Sequence, residues 1–227
     1  MAAYIRKESD MLEKHYKDTF ERISSEKRER ILSTAIDEFS SNGFDRANVN
    51  VIARKAGISI GLIYRYFDTK EDLFLTCLDY SFETLESVIS STISSETDPL
   101  TMAEKLIRAI QFHSRENSKF TQLYNEITGD SKSEYVDMLA DKIEGISAKA
   151  YTAVIENAKQ QGLVREDCDP RIFAFCFDSL LTTLQFSYSC EYYKKRFQIY
   201  CGDDIFDNDE KVVQQMLSFL RSAFEAK

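Results

Sequence analysis

The chain has little of the residues that interrupt regular secondary structure. Its 227 residues include only seven glycines and two prolines, a composition that favours long helices over turn-rich β structure. No apolar run in the sequence approaches the roughly 20 residues that a membrane-spanning helix needs. The N-terminal residues lack the apolar segment of a signal peptide. We therefore expect a cytoplasmic protein with no membrane partner.

Histidine and paired cysteine are also scarce, which argues against metal-dependent and nucleophilic catalysis. There are two histidines, and none of the five cysteines belongs to a C-x-x-C pair. The sequence has no glycine-rich phosphate loop and no Ser/His/Asp constellation. We expect no metal, no cofactor and no enzymatic activity. Reduced thiols are the simplest interpretation of the cysteines; a redox sensor that uses Cys190 and Cys201 is the alternative.

The net charge of −9 is unusual for a protein that binds nucleic acid, but the acidity is unevenly distributed. Residues 41–70 hold five basic and two acidic side chains, a local charge of +3. Residues 81–227 hold 16 basic and 24 acidic side chains, a charge of −8. A basic surface on an acidic protein still binds phosphate in a salt-dependent way. The charge pattern is therefore compatible with DNA binding by residues 41–70.

The segment from Asn48 to Lys70 has the layout of a helix-turn-helix. Asn48 predicts the cap of a short helix, because its side-chain oxygen can accept a hydrogen bond from an unpaired backbone N–H. Gly57 predicts the turn, since glycine takes a positive φ without strain. Ser59 predicts the cap of a second helix. The side chains expected to face inward are Ile52, Ala53, Ala56, Ile58, Ile63 and Phe67.

Residues 28–75 as a whole resemble the TetR family of transcriptional regulators. The matching segments are RILSTAIDEFSSNGF, VIARKAGISIGLIYRYF and DTKEDLF, in that order. They contain a glycine–aromatic pair at Gly43 and Phe44, a Tyr-x-x-Phe that begins at Tyr64, and a Lys-Glu-x-Leu that begins at Lys70. The resemblance implies an all-α protein. Its N-terminal part would be a three-helix helix-turn-helix DNA-binding domain, and its C-terminal part a helical ligand-binding and dimerisation domain.

We expect three parts along the chain. Residues 1–25 are interpreted as an N-terminal helical extension, 26–75 as the helix-turn-helix DNA-binding domain, and 76–227 as the ligand-binding and dimerisation domain. The extension is amphipathic, so it could pack on the DNA-binding domain or carry basic residues toward phosphate. A partly ordered extension remains the other possibility.

Helical periodicity predicts the helices within these parts. The first domain helix is expected at 26–42, and a fourth at about 68–94, begun by a capping box in which Asp68 pairs with Glu71. That fourth helix is long enough to leave the first domain and enter the second, which makes it the mechanical link. The remaining helices are expected at 100–114, 119–127, 134–161, 171–200 and 209–224.

The resemblance implies that the start of the recognition helix faces DNA bases and that its aromatic end faces the DNA backbone. The base-facing positions carry Ile60, Gly61 and Leu62, which can contact thymine methyl groups but cannot form bidentate hydrogen bonds. Hydrogen-bonded readout would then rest on nearby asparagine and arginine side chains, and phosphate binding on tyrosines, a lysine and backbone N–H groups. The predicted DNA-binding residues are Arg46, Asn48, Val49, Asn50, Ile60, Gly61, Leu62, Tyr64, Arg65, Tyr66 and Lys70.

Two features of this segment leave alternatives open. Tyr64 and Tyr66 lie about 200° apart on a helix, so one of them is expected to pack in the core, and Tyr64 is favoured as the DNA contact. The apolar Ile60-Gly61-Leu62 run also fits a helical dimerisation scaffold that does not bind DNA.

The predicted helix at 171–200 is apolar on two faces, which indicates that it is buried on both sides. One short recognition helix reads few base pairs, so such modules usually work as two-fold dimers on a double-stranded DNA operator. We expect a homodimer in which this helix and the last one form a four-helix bundle with the second copy. The predicted interface residues are Phe175, Ser179, Thr183, Phe186, Met216 and Leu220.

A pocket for a small-molecule effector is expected between the fourth helix, residues 100–127 and the long helices that follow. An apolar lining with a few phenols suits a hydrophobic or aromatic ligand. Such a ligand would shift the fourth helix, change the spacing of the two recognition helices and release a palindromic operator, as a repressor requires. The predicted lining residues are Phe112, Leu123, Tyr124, Ile127, Tyr151, Ile155 and Phe177.

Overall fold

The computed structural model of the chain describes residues 14–93, 98–116, 118–129 and 136–224. These residues form helices and connecting turns, with no strand among them, so the predicted all-α class is confirmed. The chain divides into two compact units, Met1–Thr84 and Leu85–Lys227. No helix in the described part of the chain is long and apolar enough to cross a lipid bilayer.

The described residues of the first unit form four helices and the beginning of a fifth. The fifth helix continues past the boundary between the units, and the boundary predicted after residue 75 lies in the same helix. The helices are α1 (Asp18–Glu21), α2 (Ser25–Arg46), α3 (Val49–Lys55), α4 (Ile60–Tyr66) and α5 (Lys70–Ile93).

Helix α2 supplies the centre of the first unit's core. The helical geometry breaks at Gly43, one residue after the predicted end at 42, before a last turn to Arg46. The Phe39 ring packs 5.0 Å from Phe74 and 6.2 Å from Phe44, measured between ring centroids. The predicted apolar stripe of α2 is buried throughout, at Ile31, Leu32, Ala35, Ile36 and Phe39.

The segment ahead of α2 packs on this core. Phe20 is only 2% exposed, and its ring centroid lies 4.8 Å from that of Phe67 and 5.5 Å from that of Tyr66. The Thr76 hydroxyl donates a hydrogen bond to the carbonyl of His15 at 3.3 Å. Of the predicted helical extension, the structure describes residues 14–25, and there it forms one short helix, Asp18–Glu21, ahead of α2; residues 1–13 lie outside the described residues.

The capping box of helix α5 lies one residue later in the sequence than predicted. The Thr69 N–H donates to Asp72 Oδ2 at 2.9 Å, and the Asp72 N–H donates to Thr69 Oγ1 at 3.0 Å. The capping box that the structure shows is thus formed by Thr69 and Asp72, at the second of the two predicted starts of this helix. Asp68 instead forms an ion pair with Lys17, at 2.5 Å, which a local sequence pattern does not reveal.

The second unit is built around one helix that packs against four others. Helix α9 contacts α6, α7, α8 and α10, and α11 packs against α6. Its inward side chains include Phe177, Leu181 and Leu184, all buried. The elements are α6 (Pro99–Glu116), α7 (Ser118–Gly129), α8 (Val136–Gln160), α9 (Pro170–Ser189), α10 (Glu191–Cys201), a 3₁₀ turn (Ile205–Asp207) and α11 (Asp209–Phe224).

The helix predicted at 171–200 is two helices, α9 and α10. Cys190 lies between them in an extended conformation, with φ −109° and ψ 131°. The Gln122 amide donates to the carbonyl of Ser189 at 2.9 Å, and the Ser189 hydroxyl donates to the carbonyl of Ser114 at 3.1 Å. The carbonyl at the end of α9 is thus hydrogen-bonded by a side chain of α7, and the Ser189 side chain is hydrogen-bonded to α6. The chain can therefore leave helical geometry there without an unpaired carbonyl.

Replacing Phe20 with Ala should lower the free energy of unfolding by about 3–5 kcal/mol, because it removes a fully buried ring. Urea denaturation followed by circular dichroism measures this loss. Tyr64→Ala is the control: Tyr64 is 46% exposed, so the change should stay within about 1 kcal/mol. Equal stability of Phe20→Ala and the parent would contradict the packing of the N-terminal segment on the core.

Candidate nucleic-acid interface

Both helices of the helix-turn-helix are capped by the residues that the sequence predicts. Asn48 Oδ1 accepts a hydrogen bond from the Asn50 N–H at 2.9 Å, and Ser59 Oγ accepts one from the Leu62 N–H at 3.3 Å. Gly57 takes the predicted positive φ, at 69°. The inward-facing residues are also as predicted: Ile58 is half-buried, and Ile52, Ala53, Ala56, Ile63 and Phe67 are buried.

A buried carboxylate on α2 holds the start of α3. Glu38 Oε1 accepts a hydrogen bond from the Asn48 N–H at 3.3 Å, and Glu38 Oε2 lies 3.6 Å from Lys55 Nζ. Arg30 Nε donates to the carbonyl of Ala56 at 3.1 Å, at the other end of α3. Because a buried charge requires such partners, Glu38 and its neighbours fix where α3 begins and ends.

Donors from the N-terminal segment bind the carbonyl end of α4. The Lys17 N–H donates to the carbonyl of Tyr66 at 2.8 Å, and Lys17 Nζ donates to that of Tyr64 at 3.1 Å. The Thr19 hydroxyl donates to the carbonyl of Arg65 at 2.8 Å. The last carbonyls of a helix have no partners within it, and a cation is favourable at this end of the helix dipole. Sequence reasoning missed Lys17 and Thr19, because their role appears only when the segment meets α4.

The predicted DNA-binding residues differ in how much of their surface is available. Most of them project from the ends of α2, α3 and α4 into solvent. Arg46, Asn48, Asn50, Gly61, Tyr64 and Arg65 are exposed, and Ile60, Leu62 and Lys70 are partly exposed.

Tyr66 and Val49 are the two candidates that the structure buries. Tyr66 is 3% exposed, its ring packs against Phe20, and Lys27 Nζ lies 5.8 Å from the ring centroid. Its interpretation as a phosphate contact is corrected, because its ring is part of the core. Val49 is the first residue of α3 and offers DNA only its backbone N–H. Tyr64 lies on the outer face of α4, as the 200° separation predicts.

Two of the basic candidates are positioned by contacts within the unit. Lys70 Nζ donates to the carbonyl of Asp45 at 3.0 Å and lies 4.8 Å from the centroid of the Phe44 ring. Arg46 Nε donates to the carbonyl of Asn42 at 3.1 Å. An ammonium has three N–H donors and a guanidinium five, so each cation retains donors for a phosphate.

The ligand-pocket candidates lie in the second unit, and most belong to its interior. Phe112 is the exception: it is 63% exposed, because Gln111 and Ser114 occupy the inward face of α6 beside it. The prediction that Phe112 lines a pocket is therefore corrected. The side chain of Ile127 lies outside the described residues. Leu123, Tyr151, Ile155 and Phe177 are buried, and Tyr124 is half-buried.

The dimer candidates fall into two groups. Phe186 packs between the rings of Tyr124 and Tyr193, at 5.5 and 5.2 Å between centroids, and Leu220 is buried in the same chain. The predicted place of these two residues in a dimer interface is therefore corrected, because a core side chain is not available to a second copy. Phe175 and Ser179 are exposed, and Thr183 and Met216 are partly exposed.

The geometry around Cys190 disfavours the redox alternative. Burial raises the pKa of the Cys190 thiol to about 11, with a smaller opposing effect of the Lys194 charge. The thiolate is the species that reacts in disulfide exchange, so a raised pKa makes this thiol less reactive. Cys201 is exposed at the far end of α10.

Comparison with known proteins agrees with this geometry. Residues 31–77 match the family model described as "Bacterial regulatory proteins, tetR family". The chain is 35% identical over 89 residues to the HTH-type transcriptional regulator HbdR of Aromatoleum sp. (strain CIB), which is 39% of this chain and 38% of HbdR. It is 26% identical over 129 residues to the HTH-type transcriptional repressor KstR of Mycobacterium tuberculosis, 55% of this chain and 58% of KstR. These matches span less than two thirds of either relative's own length.

A solved structure extends the likeness to most of the chain. The crystal structure of AibR in complex with isovaleryl coenzyme A and operator DNA has a TM-score of 0.66 to this chain at 18% identity. The match covers 87% of this chain and 100% of that one, which at this identity is a likeness of fold. The relatives are DNA-binding regulators rather than enzymes. The helix-turn-helix formed within residues 31–77 is therefore similar to that of the TetR family of bacterial regulatory proteins.

Proposed function

We propose that this protein is a cytoplasmic transcriptional repressor that binds a palindromic operator as a homodimer and is released by a small-molecule effector. The observation that carries the proposal is the division of α4 into two faces. Ile63 is buried in the core, whereas Gly61, Tyr64 and Arg65 are exposed. The name of KstR as a repressor and the operator DNA bound by AibR support the same function.

The exposed face of α4 suits the major groove of DNA. Gly61 has no Cβ, and an added Cβ would meet nothing within 4 Å in the protein, so this point of the helix is open to a close approach by DNA. Ile60 and Leu62 flank it and can contact thymine methyl groups. Tyr64 and Arg65 follow one turn later, where phosphate contacts fix the register of the helix.

A second copy of the chain is the proposed partner of the second unit. Ile172 and Phe175 on α9 and Phe219 on α11 are large apolar side chains that remain exposed in a single chain. A groove of about 530 Å³ lies beside Leu180 and Met216, between these helices and α10. Exposed apolar surface of this kind is typical of an interface. A two-fold dimer would place two recognition helices on successive half-sites, about 34–36 Å apart.

The proposed effector is a small hydrophobic or aromatic molecule that binds inside the second unit. AibR, which has the same fold and is described in complex with isovaleryl coenzyme A, supports the proposal of a small-molecule effector. Helix α5 is continuous from Lys70 to Ile93, so a change in its later turns reaches the first unit through an unbroken backbone. By linkage, an effector that weakens operator binding must itself bind more weakly in the presence of the operator.

Binding to DNA from the protein's own upstream intergenic region, across a salt series, tests the central proposal. We expect a preference for a palindromic segment, two chains per segment, and an affinity that falls steeply with salt, with a slope of about −0.9 per phosphate contact. Electrophoretic mobility shift measures the affinity and its dependence on salt, and analytical ultracentrifugation measures the number of chains per DNA segment. An absence of preference over random DNA at low salt, at that region and across a genomic fragment library, would refute the DNA-binding proposal.

Gly61→Ala should separate DNA binding from stability. Alanine has the higher helix propensity, so the variant should be about 0.5–1 kcal/mol more stable than the parent. Its added methyl group occupies the proposed point of approach by DNA, so operator affinity should fall by about tenfold or more. Gly145→Ala is the matched control, because Gly145 is also helical and open but lies in α8 of the second unit. Gly61→Ala with parental operator affinity would contradict the proposed docking of α4.

Arg65→Ala distinguishes a phosphate contact from a base contact. If Arg65 binds phosphate, affinity should fall about equally for all sequences and the salt slope should decrease by about 1. If it binds a base edge, operator specificity should relax at one position by about 1–3 kcal/mol. Arg171→Ala removes an exposed arginine from the second unit and is the control. An unchanged affinity and slope in Arg65→Ala would remove this residue from the interface.

A further inference from the structure

We propose that Lys17 and Thr19 are positioning residues that determine how well this protein distinguishes its operator from other DNA. Both lie in the N-terminal segment ahead of α2, and this role requires neither of them to touch DNA. The inference rests on the proposed function, because it assigns a structural basis to the selectivity of the proposed operator binding.

The recognition helix α4 cannot satisfy its own last carbonyls. The carbonyls of residues 64–66 have no N–H ahead of them within the helix. The N-terminal segment supplies a donor to each one: Lys17 Nζ to the first at 3.1 Å, the Thr19 hydroxyl to the second at 2.8 Å, and the Lys17 N–H to the third at 2.8 Å. Because α4 has only seven residues, a large part of its backbone is held from this one segment.

The segment that carries these donors is itself anchored on both sides of them. After them, the Phe20 ring is buried, and its centroid lies 4.8 Å from that of Phe67. Before them, the carbonyl of His15 accepts a hydrogen bond from the Thr76 hydroxyl at 3.3 Å. A donor on an anchored backbone loses little freedom when it binds, so it holds its acceptor more firmly than a donor on a free chain end does.

The charge of Lys17 is used within the protein. Its Nζ atom lies 2.5 Å from Asp68 Oδ1 and 3.1 Å from the carbonyl oxygen of Tyr64. The carboxylate cancels most of the ammonium's field beyond the pair, so Lys17 adds little to the attraction of DNA phosphates. A cation beside the last carbonyls of a helix also stabilises that end of the helix dipole. Lys17 is therefore better placed to hold α4 than to bind phosphate.

The carbonyls that are held belong to residues proposed to contact DNA. Tyr64 and Arg65 project their side chains into solvent from the same turn whose backbone the N-terminal segment binds. Sequence readout needs side chains held in register with the bases, whereas the attraction of a basic surface to phosphate tolerates movement. Loss of the Lys17 and Thr19 bonds should therefore weaken binding to the operator more than binding to random DNA.

Lys17→Met and Thr19→Val remove the two side-chain donors and keep side chains of similar size. Each variant should lose about threefold to tenfold in operator affinity, and the double variant more than either, because each hydrogen bond contributes modestly. Thr19→Val should keep the parent's affinity for random DNA within about twofold, and both variants should keep its salt slope. Electrophoretic mobility shift with operator and random duplexes, across a salt series, measures these quantities.

Two further variants control for charge and for stability. Lys14→Met removes the same charge as Lys17→Met, but Lys14 Nζ pairs within the N-terminal segment, with Asp18 at 2.8 Å and Glu21 at 3.0 Å. It should keep the parent's preference for the operator. Ile31→Val shortens a buried side chain of α2 and keeps every hydrogen bond of α4, so it should lower stability without changing that preference.

Hydrogen exchange of the free protein tests the effect on α4 separately from DNA binding. The amides of residues 60–67 should exchange about tenfold faster or more in the double variant than in the parent, because the end of the helix opens more often. Lys14→Met should exchange like the parent over the same residues. Equal exchange in the double variant and the parent would overturn the inference.

The binding data can overturn the inference in three other ways. The first is an unchanged operator preference in the double variant. The second is an equal loss on operator and random DNA in Lys17→Met, with a salt slope smaller by about 1, which would make Lys17 a phosphate contact. The third is the same loss of preference in Ile31→Val. A parent that prefers no DNA sequence would refute the proposed function itself, which distinguishes that failure from the others.

Discussion

Helix α4 has only seven residues, and an isolated helix of that length is not stable in water. Its geometry therefore depends on what other elements provide. Ser59 caps its first turn, Ile63 and Phe67 anchor it in the core, and donors from Lys17 and Thr19 satisfy its last carbonyls. The same elements decide which residues remain outside. A surface that reads DNA must hold its side chains still, and here the N-terminal segment contributes to that rigidity.

The second unit is organised around one helix. Helix α9 is buried against four neighbours, and its apolar side chains account for most of the interior contact. The end of this helix is paired with its neighbours: the Gln122 amide donates to the carbonyl of Ser189, and the Ser189 hydroxyl donates to the carbonyl of Ser114. The packing of α9 therefore also fixes where the helix ends.

The elements predicted from sequence were those that short-range chemistry controls. The caps at Asn48 and Ser59, the turn at Gly57 and the apolar stripe of α2 depend on residues within one or two turns of each other, and all four were confirmed. The capping box at Thr69, the break at Cys190 and the burial of Phe186 were missed. The break at Cys190 and the burial of Phe186 depend on partners far along the chain, because Gln122 binds Ser189 and the Tyr124 ring packs on Phe186. The capping box at Thr69 is local, and the neighbouring Asp68 pairs with the distant Lys17.

The sequence by itself determined the all-α class, the helix-turn-helix and its resemblance to the TetR family, because residue spacing and turn chemistry are local properties. Only the tertiary structure decided which candidate residues are available to partners. It placed Tyr66 in the core and Tyr64 outside, and it brought Lys17 and Thr19 to the carbonyl end of α4. Periodicity defines the faces of a helix but not what packs against them. Exposure, charge pairing and pKa all depend on that packing, so the functional surfaces became visible only when the helices were assembled.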